Sequence, residues 1–295
     1  MSVINSPQYK LNNILTARAR LGECPVWDST NKLLYWVDIY NHRVNQFNSV
    51  TEQNVFFDVG DVVGSVALAG ANRLIVALRH GLAFLNTQSG EVMPIIQVEA
   101  DMPDNRLNDG KCDPKGRFWF GSMCPGKTQG SLYRYDPDGS LHVMETGLTI
   151  SNGLGWSPDQ NTFYLADSDQ QKIYAYNFDA ETGNIRNRRV FVDLTSESFY
   201  PDGLTVDSEG HIWVAMWDGW CVIRFNPQGE EIGRIPLPVQ RPSCCTFGGE
   251  DLQTLYITTA SVGLSEEEIQ KSFYSGDLFA LPTQMIGLPA YNFLG

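Results

Sequence analysis

Tyr200-Pro201-Asp202-Gly203-Leu204-Thr205-Val206-Asp207 couples a turn dipeptide that carries a carboxylate to the first residues of an alternating apolar strand. The same plan recurs at Gly22-Glu23-Cys24-Pro25-Val26-Trp27-Asp28, at Leu107-Asn108-Asp109-Gly110-Lys111-Cys112-Asp113 and at Ser151-Asn152-Gly153-Leu154-Gly155-Trp156-Ser157. Weaker copies are anchored at Ser65 and Ser243. The six anchors, Glu23, Ser65, Asn108, Asn152, Asp202 and Ser243, are separated by 42, 43, 44, 50 and 41 residues. Self-similarity at that period marks a chain built from one repeated supersecondary unit.

Outward from each anchor the plan continues. A turn such as Asp113-Pro114-Lys115-Gly116 or Asp207-Ser208-Glu209-Gly210 leads to a β-prone segment, Arg117-Phe118-Trp119-Phe120 or His211-Ile212-Trp213-Val214. A third segment alternates with period two, as in Lys172-Ile173-Tyr174-Ala175-Tyr176. The one long interval contains Glu181-Thr182-Gly183-Asn184, a turn that lengthens an outer hairpin. Six such units predict an all-β protein, a six-bladed β-propeller spanning residues 1–295 as one domain. The strand candidate at Asn13-Ile14-Leu15-Thr16 precedes the first anchor, so it is expected to complete the last blade beside Gly276-Asp277-Leu278-Phe279-Ala280 and leave no open edge. A pair of sandwich domains does not account for the even spacing. Helical content is expected only at Ser265 to Ser272.

The 295 residues are 42% hydrophobic and 19% charged, with a formal net charge of −13. Such a surface disfavours nucleic acid and anionic membranes as partners. Met1 to Pro7 lack the basic start and apolar core of a signal peptide, and no apolar run reaches the roughly 18 residues of a membrane span. A cytoplasmic location follows as an expectation. The six cysteines include an adjacent pair and no CxxC, which reads as reduced, buried thiols rather than disulfides or a zinc site.

The repeat phase carries the chemistry. Equivalent positions on the innermost strands of a propeller form a ring around its channel, and here the ring reads Glu, Ser, Asn, Asn, Asp, Ser. Two carboxylates and two carboxamides converging on one axis are costly unless a cation lies between them. Oxygen donors of mixed charge suit one divalent ion. Calcium is the expected one, with magnesium, manganese, iron(II) and zinc compatible with the same donors. Glu23 and Asp202 supply charge and Asn152 a neutral oxygen; so few protein ligands leave positions for water and substrate. The four histidines are scattered without HExxH, and no GxSxG elbow or phosphate-cradling loop occurs. Trp27-Asp28 and Trp217-Asp218 lack the Gly-His that accompanies WD repeats.

In order along the chain, Gly22-Glu23-Cys24-Pro25-Val26-Trp27, Asn105-Arg106-Leu107-Asn108-Asp109-Gly110-Lys111, Ser151-Asn152-Gly153-Leu154, Pro201-Asp202-Gly203 and Ser243-Cys244-Cys245-Thr246-Phe247-Gly248-Gly249 resemble the family of senescence marker protein 30 (regucalcin), the gluconolactonases and the luciferin-regenerating enzyme. The resemblance runs from about Leu21 to the C-terminus. It implies a six-bladed propeller with one divalent metal in the channel, held by Glu23, Asn152 and Asp202, and substrate contacts from Arg106 and Asn108. It also implies hydrolysis of a sugar lactone. Asp202, a ligand at the water-filled mouth, is then the expected catalytic residue, orienting or deprotonating the attacking water. The pattern breaks between Gly121-Ser122-Met123 and Gly130-Ser131-Leu132-Tyr133. The family's longer loop with a substrate-contacting glutamate is here Cys124-Pro125-Gly126-Lys127-Thr128-Gln129, without a carboxylate. Trp217 and Trp220 stand where smaller or more polar residues are usual, and either could pack on a sugar ring. The expected partner is a small-molecule lactone, in a monomer or weak dimer. A calcium-binding regulator, a hydrolase of another ester or organophosphate and a protein-binding propeller are the competing readings.

Overall fold

A computed structural model describes residues 10–295; the reading of Met1 to Pro7 as lacking a leader lies outside the described residues. Among the described residues, twenty-four strands form six separate four-stranded antiparallel sheets. Five are sequential meanders: β2 (Gly22–Asp28) to β5 (Asn54–Asp58), β6 (Val63–Leu68) to β9 (Val92–Gln97), β10 (Arg106–Cys112) to β13 (Leu141–Leu148), β14 (Ser151–Trp156) to β17 (Asn184–Asp193) and β18 (Tyr200–Val206) to β21 (Glu231–Pro236). The sixth joins the two ends of the chain in the order β1-β24-β23-β22, where β1 is Asn12–Leu15, β22 Pro242–Gly248, β23 Thr254–Thr259 and β24 Leu278–Pro282. The sheets are the blades of a β-propeller. Asn13 pairs with Phe279, so the N-terminal strand is the outermost strand of the last blade. Asp277 fastens this closure, accepting from the Asn13 amide at 2.7 Å and from the Arg18 backbone N–H at 3.2 Å.

Burial explains which segments became which strand. Each innermost strand lies between its neighbours on both faces, and β14 is buried at every residue. The outermost strands face water, and β17, lengthened by the turn after Asp179, is mostly exposed. Six hydrophobic clusters occupy the six gaps between consecutive blades. Between the third and fourth blades, for example, Trp119 meets Phe163 at 5.1 Å and Trp156 edge-on at 5.9 Å. All six cysteines are free and buried. Among the described residues one short α-helix, α1 (Glu266–Lys271), starts with a capping box between Ser265 and Glu268, and none is long and apolar enough to cross a membrane.

The repeated turn has a polar lock. Asp113 is fully buried and accepts from Lys115 N, Arg117 N, Arg117 Nε at 2.5 Å and Trp119 Nε1 at 2.9 Å. Asp207 repeats the arrangement with His211 N, Trp213 Nε1 and Arg224. Beneath the blades the chain after β24 crosses the channel's far end. Ile286 accepts from Ser208 N, and Phe293 N donates to Leu68 O while its ring stacks on Tyr135. Leu288 to Tyr291 thereby cap a narrow cavity of about 70 Å³ that Lys111 also lines.

Removing the Asp113 carboxylate strands the buried Arg117 guanidinium (side chain 7% exposed) and three further donors. Asp113→Ala is expected to lower unfolding free energy by about 3–5 kcal/mol, read as a fall in the urea midpoint. A loss under about 1 kcal/mol would show that the lock does not hold the turn.

Candidate metal centre and active-site cleft

On each innermost strand the hydrogen-bond register slips near the anchor residue. The slip falls between Glu23 and Val26, Val63 and Ser65, Leu107 and Gly110, Ser151 and Leu154, Pro201 and Leu204, and Pro242 and Cys244. Such a bulge bends the strand and re-aims a side chain that would otherwise alternate into the sheet. In β2 the bend places Cys24 at φ +46, a conformation that a non-glycine residue rarely takes. In β14 and β18 the residue after the anchor is glycine for lack of room. A Cβ on Gly153 would lie 2.5 Å from the Asp202 carbonyl oxygen, and one on Gly203 would strike the Cys244 sulfur. The innermost strands thus approach closely enough for their anchor side chains to meet.

One cleft of about 260 Å³ is lined by Glu23, Arg106, Asn108, Asn152 and Asp202, so the five residues singled out in the sequence share it despite separations of up to 179 positions. Ser65 and Ser243 do not line it, which corrects the six-membered ring. Ser243 Oγ instead donates to Gly22 O at 2.5 Å, tying the last blade to the first, and the buried Ser65 hydroxyl has no partner. Arg106 Nη1 donates to Asn108 Oδ1 at 2.6 Å and to Leu107 O at 3.0 Å, leaving Nε and Nη2 uncommitted. Asn108 Nδ2 in turn donates to Ser151 O at 2.9 Å. Asn152 Nδ2 donates to Asp202 Oδ1 and, at 3.0 Å, to Ser168 Oγ, while its Oδ1 accepts from Gly153 N. Presenting that oxygen to a cation requires the amide to turn about its last side-chain bond.

Two residues of the centre were not singled out in the sequence. Asp109, quoted there only within the repeated motif, is 5% exposed and faces Glu23 and Asp202. Cys244 joins Glu23 and Asp109 with ligand atoms all within 4.8 Å of one another. Burial pushes the Glu23 carboxyl well above its ordinary range, and repulsion from Asp202 and Asp109 adds to it. Burial and the charge of Asp109 do the same to Asp202. Burial raises Asp109 to about 6, with Lys111 and Arg106 opposing. Burial also keeps the Cys244 thiol protonated. Among the described residues no lysine or arginine makes an ion pair with any of the three carboxylates; Lys111 Nζ donates to Leu204 O instead. Three acids sharing a buried site without a direct counter-ion are the donor set that a hard divalent cation fits.

A further layer fixes the approach to the anchors. Asp38, at the end of β3 (Leu33–Asp38), accepts from Arg20 N and Leu21 N just before Glu23. Asp167, at the end of β15 (Thr162–Asp167), accepts from Thr149 N, Ile150 N and the Thr149 hydroxyl just before Asn152. The Asp218 carboxylate accepts from Gln240 and Arg241 before β22. A readable signal existed, since each aspartate follows its blade's anchor by 15 or 16 positions. Above this floor the cleft wall contains Leu21, Met123, Ile150, Trp217 and Val262, with the phenols Tyr40 and Tyr200. Trp217 therefore lines the cleft, whereas Trp220, at φ +58 in the following turn, does not.

Residues 21–261 match the family model described as SMP-30/Gluconolactonase/LRE-like region. Regucalcin of Gallus gallus is 37% identical over 97% of this chain and 99% of its own. Pentonolactonase XacC of Haloferax volcanii is 34% identical over 96% and 97% respectively. Among solved structures, the calcium-binding protein regucalcin of Agrobacterium tumefaciens superposes with a TM-score of 0.93 at 26% identity, covering 97% of each chain. With its blades, its convergent anchors and this match over most of its length, the chain belongs to the SMP-30/gluconolactonase/LRE-like family.

Proposed function

We propose that this protein hydrolyses a sugar lactone to the aldonic acid in the cleft above Glu23, Asn152 and Asp202, with one divalent cation as cofactor. The observation that carries the reading is the meeting of these three residues with Arg106 and Asn108 in a single cleft, in a family that includes a protein named pentonolactonase. Glu23, Asn152 and Asp202 are the proposed ligands, and Asp109 and Cys244 lie against them. A bound divalent cation polarises an ester carbonyl and stabilises the negative charge that develops on its oxygen.

The chain's own groups do the rest. Asp202 is the proposed base that takes the proton from the attacking water, its carboxylate kept ionised by the cation it would help to hold. Before a cation binds, the Asn152 amide holds the Asp202 carboxylate and Ser168 through its Nδ2, contacts that give way when its oxygen turns to the ion. Arg106, braced by Asn108 and by the Leu107 carbonyl, directs its spare N–H groups at substrate oxygens. The apolar wall keeps bulk water from competing for these contacts.

The test is acid release from gluconolactone, xylonolactone and arabinonolactone by chelated protein, with calcium, magnesium, manganese, iron(II) or zinc added back. Turnover is expected only with metal. Asp202→Asn should lower kcat by about 10²–10⁴-fold, and Arg106→Ala should raise KM by about tenfold or more. Tight calcium binding with no acid release from any lactone would instead support a calcium-binding regulator, the role suggested by relatives named regucalcin.

Stability should report the same centre. The folded pKa values of Glu23, Asp109 and Asp202 lie above their unfolded ones, so their contribution is fully present below about pH 4 and fades as pH rises through the folded values, about 6 for Asp109. Chelated protein should therefore gain melting temperature on acidification from pH 7.5 to 5.5. Saturating cation should remove that gain, because its binding requires the ionised forms. Glu23→Gln should flatten the chelated profile; an unchanged profile in this variant would separate Glu23 from the effect.

A further inference from the structure

The cleft carries a third carboxylate in addition to Glu23 and Asp202. Asp169 lies at its rim, exposed, on the short 3-10 turn Ser168–Gln170. That turn is pinned on both sides. Ser168 Oγ donates to Pro201 O at 2.7 Å and accepts from Asn152, and Gln171 Nε2 donates to the carbonyls of Glu197 and Phe199 at 2.9 Å each. The Asp169 backbone is thereby registered one residue from a side chain that holds a proposed cation ligand. Among the described residues, no cation pairs with its carboxylate. Oδ2 accepts from Gly126 N at 3.0 Å, and Oδ1 has no protein partner.

Gly126 belongs to Cys124 to Gln129, the short loop of the third blade that has no carboxylate of its own. The fourth blade thus reaches across and anchors that loop with an acid. The rest of the upper wall, Met123, Ile150, Trp217 and the two phenols, offers no anionic acceptor. Arg106 is donor-only and an ionised Asp169 is acceptor-only. A hydroxyl group is both, so a substrate bearing several hydroxyls can accept from Arg106 and donate to Asp169 at once, whereas an unsubstituted ring can satisfy neither side chain through a hydroxyl.

We propose that Asp169 is the specificity-determining residue that selects polyhydroxylated substrates, accepting a hydrogen bond from a substrate hydroxyl while its other oxygen holds the short loop by Gly126. This rests on the lactone reading for the reaction, but not for the recognition of hydroxyls. In kinetics, the ratio of kcat/KM for gluconolactone to that for δ-valerolactone, which has the same ring without hydroxyls, should fall about tenfold in Asp169→Ala, through KM for gluconolactone rather than kcat. Asp169→Asn retains an oxygen for Gly126 N and loses the charge, so its ratio should lie between the two.

Binding of 1,5-anhydroglucitol, a ring polyol with no carbonyl, to the calcium-loaded protein by calorimetry reads recognition without chemistry. It should weaken about tenfold in Asp169→Ala, against no such loss for tetrahydropyran, which has no hydroxyl to lose. A ratio and a polyol affinity within twofold of the parent protein, or equal weakening of both ring compounds, would overturn the assignment. If the parent protein turns over no lactone with any metal, the proposed reaction fails, and the anhydroglucitol titration still decides the role of Asp169.

Discussion

Three acids, Glu23, Asp109 and Asp202, are packed together at the axis of the propeller, with no lysine or arginine among the described residues in an ion pair with them, and much of the surrounding structure answers that constraint. Desolvation and mutual repulsion both favour protonation there. Arg106 and Lys111 are close enough to oppose this electrostatically, yet each spends its hydrogen bonds on neutral oxygens. The site is therefore poised for an additional positive charge rather than neutralised by the protein itself. A cleft opening above that floor is the arrangement in which such a charge could meet a substrate.

Holding the acids in place takes more than the anchors. Register slips on β2, β10, β14 and β18 aim their anchor side chains into the cleft, and glycines at 153 and 203 let those strands approach. One layer out, Asp38 and Asp167 clamp the backbone entering β2 and β14, and Ser243 ties the last blade to the first. These bonds are buried or nearly so, which makes each costly to leave unmade. The centre is thus supported by paired strands and satisfied turns.

The rim is where this chain parts from the pattern its motifs resemble. The short loop after β11 (Phe118–Met123) carries no carboxylate, and Trp217 belongs to the apolar wall. Asp169 stands in the cleft from the neighbouring blade and bonds to that loop.

Period and residue type made the architecture legible in advance. An interval of about 43 residues, strand-like alternation and recurrent turns specify stacked four-stranded units, because each unit can bury its faces only against its neighbours. The same phase singled out Glu23, Asn108, Asn152 and Asp202, since equivalent positions in a closed ring must face one axis; Arg106 came only from the resemblance to the family's motif. It overreached at Ser65 and Ser243, where the phase is kept but the side chains are spent on packing and on Gly22. Asp109, Cys244 and Asp169 were hidden for a different reason. Their roles arise from contacts between blades, with partners such as Glu23 and Gly126 whose proximity is set by how the sheets twist and approach. Repetition along a chain determines which residues share a height around the axis; only the folded ring decides which of them touch.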